Sequence, residues 1–182
     1  MKKSLRKISV LLFIFIVLFS GCQSNDQTGG GNQETDVFAD TAEETLRQVM
    51  EKTDIDVGMT FDEAVTEENC ESVLGLTTTE FADYVEEAFS MSAAITTTPH
   101  LTAVMKCKDF ESAKQVEELT AKGFNSNRWI CVVPGESFVI RSGSYVFLAS
   151  TLADYAEPIK NAFLEAAGET AGEVTVFYEG ER

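Results

Sequence analysis

A single histidine, three prolines and one tryptophan in 182 residues leave several kinds of chemistry without their usual residues. With His100 alone, neither a His-x-x-x-His zinc pair nor a His-rich metal site can be built, and any Ser–His or Cys–His catalytic arrangement has one imidazole to use. Positive charge is also scarce. Fourteen bases stand against 30 acids, a formal net charge of −16, which repels a phosphate backbone and removes nucleic acid from the expected partners. Neither a Gly-x-x-x-x-Gly-Lys-Ser/Thr loop nor a Gly-x-Gly-x-x-Gly fingerprint occurs, so nucleotide chemistry has no support. No apolar run reaches the roughly 20 residues that cross a bilayer. With 44% hydrophobic and 24% charged residues the chain has a globular composition. About 140 residues beyond the N-terminal segment make one ordinary domain, too few for a two-lobed solute-binding protein.

What is present begins with a sorting signal. Lys2, Lys3, Arg6 and Lys7 precede the 12-residue core Ile8–Phe19, which only Ser9 interrupts, and this is secretory signal architecture. At about 1.5 Å per helical residue the core reaches about 18 Å, short of the hydrocarbon layer of about 30 Å. Leu18-Phe19-Ser20-Gly21-Cys22 closes it. This resembles the lipobox of bacterial lipoproteins, with Phe19 where an aliphatic residue is usual. The resemblance implies cleavage behind Gly21 and a diacylglycerol on the Cys22 sulfur. Two acyl chains at about 0.8 kcal/mol per buried CH₂ then hold the chain on the cell membrane, facing outside the cytoplasm. Losing residues 1–21 leaves 10 bases against 30 acids, a formal −20, and anionic headgroups repel such a domain. Residues 22–40 read as a flexible polar tether, since Gln23–Asp36 has no apolar side chain and includes Gly29, Gly30 and Gly31 in a row.

Residues 41–182 read as one small α+β domain. Thr41 and Glu44 form a capping box ahead of Leu46, Val49 and Met50, so a helix starts there. Residues 54–75 read as loops with a short helix near Glu68–Leu74. Glu80–Met91 fits either a helical stripe or a strand face. Leu101, Ala103, Met105 and Cys107 alternate as a strand, and Asp109 caps a helix that Gly123 ends with a left-handed residue. Trp129–Val133 reads as a strand, and Ser137–Arg141 with Ser144–Ser150 as a hairpin bent at Ser142-Gly143. Asp154 and Glu157 box a last helix with Pro158 in its first turn and Gly168 at its end, and Val174–Tyr178 reads as an edge strand. This order predicts an antiparallel or mixed sheet with helices packed on one face.

The strand Leu101–Cys107, the Lys108-Asp109 helix entry, the Gly143-Ser-Tyr-Val-Phe-Leu148 strand and the closing helix near Phe163 resemble a small lipoprotein domain. That domain is common in Gram-positive, chiefly clostridial, bacteria and has no assigned activity. The likeness spans about residues 60–166. It implies an envelope address and carries no catalytic residues with it.

The remaining candidates are few. After lipidation of Cys22, three cysteines stay: Cys70, Cys107 and Cys131. An exported chain permits a disulfide, Cys107 with Cys131 being the preferred pair, although the spacing matches no cysteine framework and three small buried hydrophobes is the simpler reading. His100, just after Pro99, reads as a loop residue. Eleven acids and no base lie between Thr53 and Met105. Asp54–Asp62 imitates the start of a calcium loop, but Gly58 comes one position early and Val65 stands where the bidentate glutamate belongs. The acidic stretch 54–87 therefore reads as a solvated face. No metal and no cofactor are expected. The expected function is a non-enzymatic binding or accessory module of the cell envelope, whose partners are the membrane, through Cys22, and an unidentified envelope protein or ligand. The rival is a small hydrolase or thiol enzyme using His100 with Cys107 or Cys131.

Overall fold

Helix α1, Ala42–Glu51, begins where its capping box lies, for Thr41 accepts from the Glu44 amide and the Glu44 carboxylate returns to the Thr41 amide. The computed structural model describes residues 36–38, 40–95 and 97–180. The expected signal segment, its cleavage between Gly21 and Cys22, and most of the tether lie outside the described residues. The chain continues through β1 (Thr60–Val65), α2 (Cys70–Leu74), α3 (Thr78–Tyr84), β2 (Val85–Ala93), β3 (Leu101–Cys107), α4 (Phe110–Gly123), β4 (Glu136–Ser142), β5 (Tyr145–Thr151) and α5 (Ala153–Ala167). A turn of 3₁₀ helix (Gly168–Thr170) leads to β6 (Ala171–Glu179).

The fold is α+β, built on one six-stranded sheet in the order β1-β2-β3-β5-β4-β6 with every pairing antiparallel. Helices cover both of its faces rather than the single face the element order suggests. The reason lies in the central strands. Ala103, Met105, Val146 and Leu148 pack with Val73, Leu74, Phe81 and Val116 from α2, α3 and α4. Val104, Phe147 and Ala149, one residue out of step, pack with Leu46, Val49, Ile159 and Phe163 from α1 and α5. Strands apolar at both parities need cover on both sides, and all seven residues of β5 are buried. The α1/α5 layer is the aromatic one, with Phe147 and Phe163 stacked at 5.0 Å between ring centres, so Phe163→Ala costs about 3–5 kcal/mol.

Several expectations change. The stretch Glu80–Met91 is helix and then strand, α3 passing into β2 at Val85. Strand β1 replaces the expected loop; only Val65 of its six residues is buried, so it carries no alternating signal. Trp129–Val133 is not a strand: β4 already pairs with β5 on one side and β6 on the other, which leaves no edge for it there. Gly123 is the last residue of α4 and has no positive φ. It is small because α4 ends against the backbone of Gly75, whose carbonyl oxygen a Cβ at Gly123 would strike. Helix α5 starts at Ala153 with no side-chain cap, so Asp154 and Glu157 make no box and Pro158 is the sixth helical residue.

The hairpin is as read, with Gly143 at φ 59 between Ser142 and Tyr145, which are paired. The last residues assigned to the tether belong to the fold. Asp36 accepts from the Ser144 amide (2.6 Å) and hydroxyl (2.9 Å), and Phe38 is buried against Tyr145 and Phe163. The chain thus enters the domain at the hairpin end of the sheet.

Candidate functional site

His100 immediately precedes β3, whose first residues are the innermost of the sheet, so its ring is drawn inside and is 1% exposed. His100 is a loop residue, as read, but a buried one rather than one on the surface. Nδ1 lies 2.8 Å from the Thr151 hydroxyl, itself buried, and Tyr155 meets the ring edge-on. Burial pushes the imidazole down to about 4, so it is neutral at physiological pH.

Cys107 ends the same strand. Seven residues at about 3.3 Å each put its backbone about 23 Å from that of His100. Burial, with the charges of Asp109 and Asp36, pushes its thiol up to about 12, the opposite of what a nucleophile needs. Cys70 is buried and its thiol is likewise raised by burial. All three cysteines are free. Cys107 lies in the core and Cys131 is exposed, so the disulfide between them is not formed, and Cys131 departs from the picture of three buried hydrophobes.

The acids of the 54–87 stretch have separate duties. Asp56 accepts from the Gly58 amide, Asp62 pairs with Arg47 at 3.1 Å, and Glu80 closes the capping box of α3. Gly58 is followed by β1 and not by a helix, so the calcium-loop imitation ends in a strand. Among the described residues no group of three or more His, Cys, Asp or Glu is placed to hold a metal ion.

What the sequence does not announce is a groove. Strand β2 runs three residues beyond its partner, since β1 stops at Val65 opposite Ala88 and the chain turns away at Thr66. The vacated lane is a depression of about 840 Å³, within the usual range for ligand sites. Its floor is apolar, from Ala64, Val65, Phe81, Ala88 and Phe89, and its rim carries Glu43, Glu67, Glu68, Glu86 and Glu87 without a single base. Two of the five carboxylates are engaged. Glu87 accepts from the Ala42 amide at the start of α1 (2.7 Å), and Glu43 pairs with Arg47 (3.0 Å). Among the described residues no ion pair involves Glu67, Glu68 or Glu86, and all three are exposed.

A second depression of about 530 Å³ lies across α4 and β6. Its charges cancel one another, Arg141 with Glu117 at 3.1 Å and Lys122 with Glu118 at 3.6 Å. Of these two depressions, the groove between β1 and α1 is the one where concavity, an apolar floor and uncompensated charge of one sign coincide. The acid-rich run was visible in the sequence. The break in strand pairing that gathers Glu67, Glu68 and Glu86 around a hollow was not, because it depends on where β1 stops. No family model matches the chain, and no curated protein or solved structure matches it.

Proposed function

We propose that this chain is a lipoprotein anchored to the cell membrane through Cys22 and facing outside the cytoplasm, and that its α+β domain is a non-enzymatic binding module of the envelope. The observation that carries the binding role is the groove, a hollow with an apolar floor and three exposed carboxylates that form no ion pair among the described residues. Such a surface recognises a partner through shape and charge. The rival reading, an enzyme using His100 with Cys107 or Cys131, has no geometric support: His100 is enclosed against Thr151, and the Cys107 thiol is held protonated. The anchor is supported by the basic head, the short apolar core and Ser20-Gly21-Cys22, and the envelope address by the likeness of residues 60–166 to lipoprotein domains.

Two measurements on intact cells test the proposal. Radiolabelled palmitate should enter the wild type and be lost in Cys22→Ala; equal labelling removes the anchor. A photo-crosslinking residue at position 68 should give a discrete adduct that the same residue at position 118 does not. No adduct from position 68 would overturn the binding role.

A further inference from the structure

We infer that an extended, lysine- or arginine-rich segment of a partner protein adds as a strand to the free edge of β1, its basic residues meeting the acids of the groove at the end of that edge. The inference rests on the binding role proposed above and names the chemistry of the partner. Three features on the same edge carry it.

The first is backbone. Strand β1 is the terminal strand of the sheet, and the Ala94 amide donates to the Met59 carbonyl while Thr60 stands opposite Ala93. In an antiparallel ladder that pattern makes Thr60–Ala93 a pair without mutual hydrogen bonds, so the odd-numbered residues of β1 bond inward to β2. The N–H and C=O groups of Thr60, Asp62 and Ala64 therefore point off the edge, ready for another strand. Known edges of this kind are used for peptide capture by strand addition.

The second is charge. Glu67, Glu68 and Glu86 ring the end of that edge with no base among the groove residues, so a segment bearing cations is attracted and an acidic one repelled. The third is the apolar floor. Side chains of an added strand alternate in direction, so a segment with every second residue basic can turn its other residues to the face of the sheet that carries Ala64 and its pair partner Phe89.

The test uses the full chain in neutral detergent and two fluorescent probe peptides, one alternating lysine with valine and one alternating lysine with serine. The lysine–valine peptide should bind, more weakly as salt rises, and about tenfold more tightly than the lysine–serine peptide. The combined variant Glu67→Gln/Glu68→Gln/Glu86→Gln should weaken it by about tenfold or more. Glu169→Gln/Glu173→Gln/Glu179→Gln, which removes the same charge from exposed positions elsewhere, should change it by less than about twofold. Ala64→Pro removes only an outward-facing N–H, so it should weaken binding about tenfold while leaving the melt nearly unchanged. Equal losses in the two triple variants, equal affinity for the two peptides, or displacement of the peptide by spermine at matched charge would reduce the groove to a counter-ion surface and overturn the inference. A position-68 adduct whose partner segment has no basic residues overturns this inference and leaves the binding role standing, whereas the absence of any adduct removes the binding role itself.

Discussion

The two ends of the sheet treat polar groups in opposite ways. At the end where β3 begins, His100 and Thr151 satisfy each other inside the protein, with Tyr155 against the ring. At the hairpin end, where the chain enters through Asp36, three glutamates stand in water around a hollow. The enclosed pair has the residue types associated with catalysis, and its surroundings remove both its charge and its access. The open end has residue types associated with mere solubility, and a break in strand pairing arranges them into a surface that can discriminate. Residue identity alone points to the wrong end; backbone topology, which decides who meets solvent, points to the other.

The largest effect expected from this contrast is a pH dependence at the enclosed end. His100 is held at about 4 when folded, below its ordinary 6.5. Above 6.5 the ring is neutral in both states. As pH falls from 6.5 toward 4 the unfolded chain takes up a proton that the folded chain refuses, so stability drops by on the order of 3 kcal/mol. Denaturant melts at neutral pH and near pH 4 should show this loss in the wild type and a smaller one in His100→Gln; identical losses would mean the ring is not enclosed.

The hairpin end is next. Gly143 combines a positive φ with the Asp36 carboxylate close to where a Cβ would be, so Gly143→Val should cost about 1–3 kcal/mol and loosen the Asp36 clamp. Ser142→Ala at the neighbouring position removes a hydrogen bond, because Ser142 is buried and its hydroxyl lies 2.7 Å from that of Thr170. It should cost about 1 kcal/mol. Ranking these two by midpoint of unfolding separates backbone strain from a lost hydrogen bond, and a Ser142→Ala loss as large as that of Gly143→Val would remove the strain argument.

The smallest effect belongs to the groove. Glu67, Glu68 and Glu86 are exposed and unpaired among the described residues, so their conversion to glutamine should move stability by no more than about 0.5 kcal/mol. A large destabilisation would show that these acids serve the fold.

The contrast also explains what could be read in advance. Strands β3 and β5, helix α4 and the hairpin at Gly143 are legible because local pattern and burial agree. The capping boxes at Thr41 and Thr77 are local as well, although only the first is recognised in sequence, since the ambiguous run after Glu80 masks the second. Strand β1 is hidden because an edge strand exposes both of its faces along most of its length. The run Trp129–Val133 misleads in the opposite direction: its composition is that of a strand, yet Ile130 is 99% exposed and the neighbouring β4 is already paired on both sides. The groove was illegible for the same reason as β1, since nothing in Thr66-Glu67-Glu68 reveals that the neighbouring strand runs on without it.

The most direct test is amide hydrogen exchange of the full chain, measured with and without the lysine–valine peptide. The account predicts new protection at Thr60, Asp62 and Ala64, the outward-facing amides of β1, and around Glu86, with no change at His100 or Thr151. Protection spread evenly over acidic surfaces, or confined to the His100 end, would contradict it.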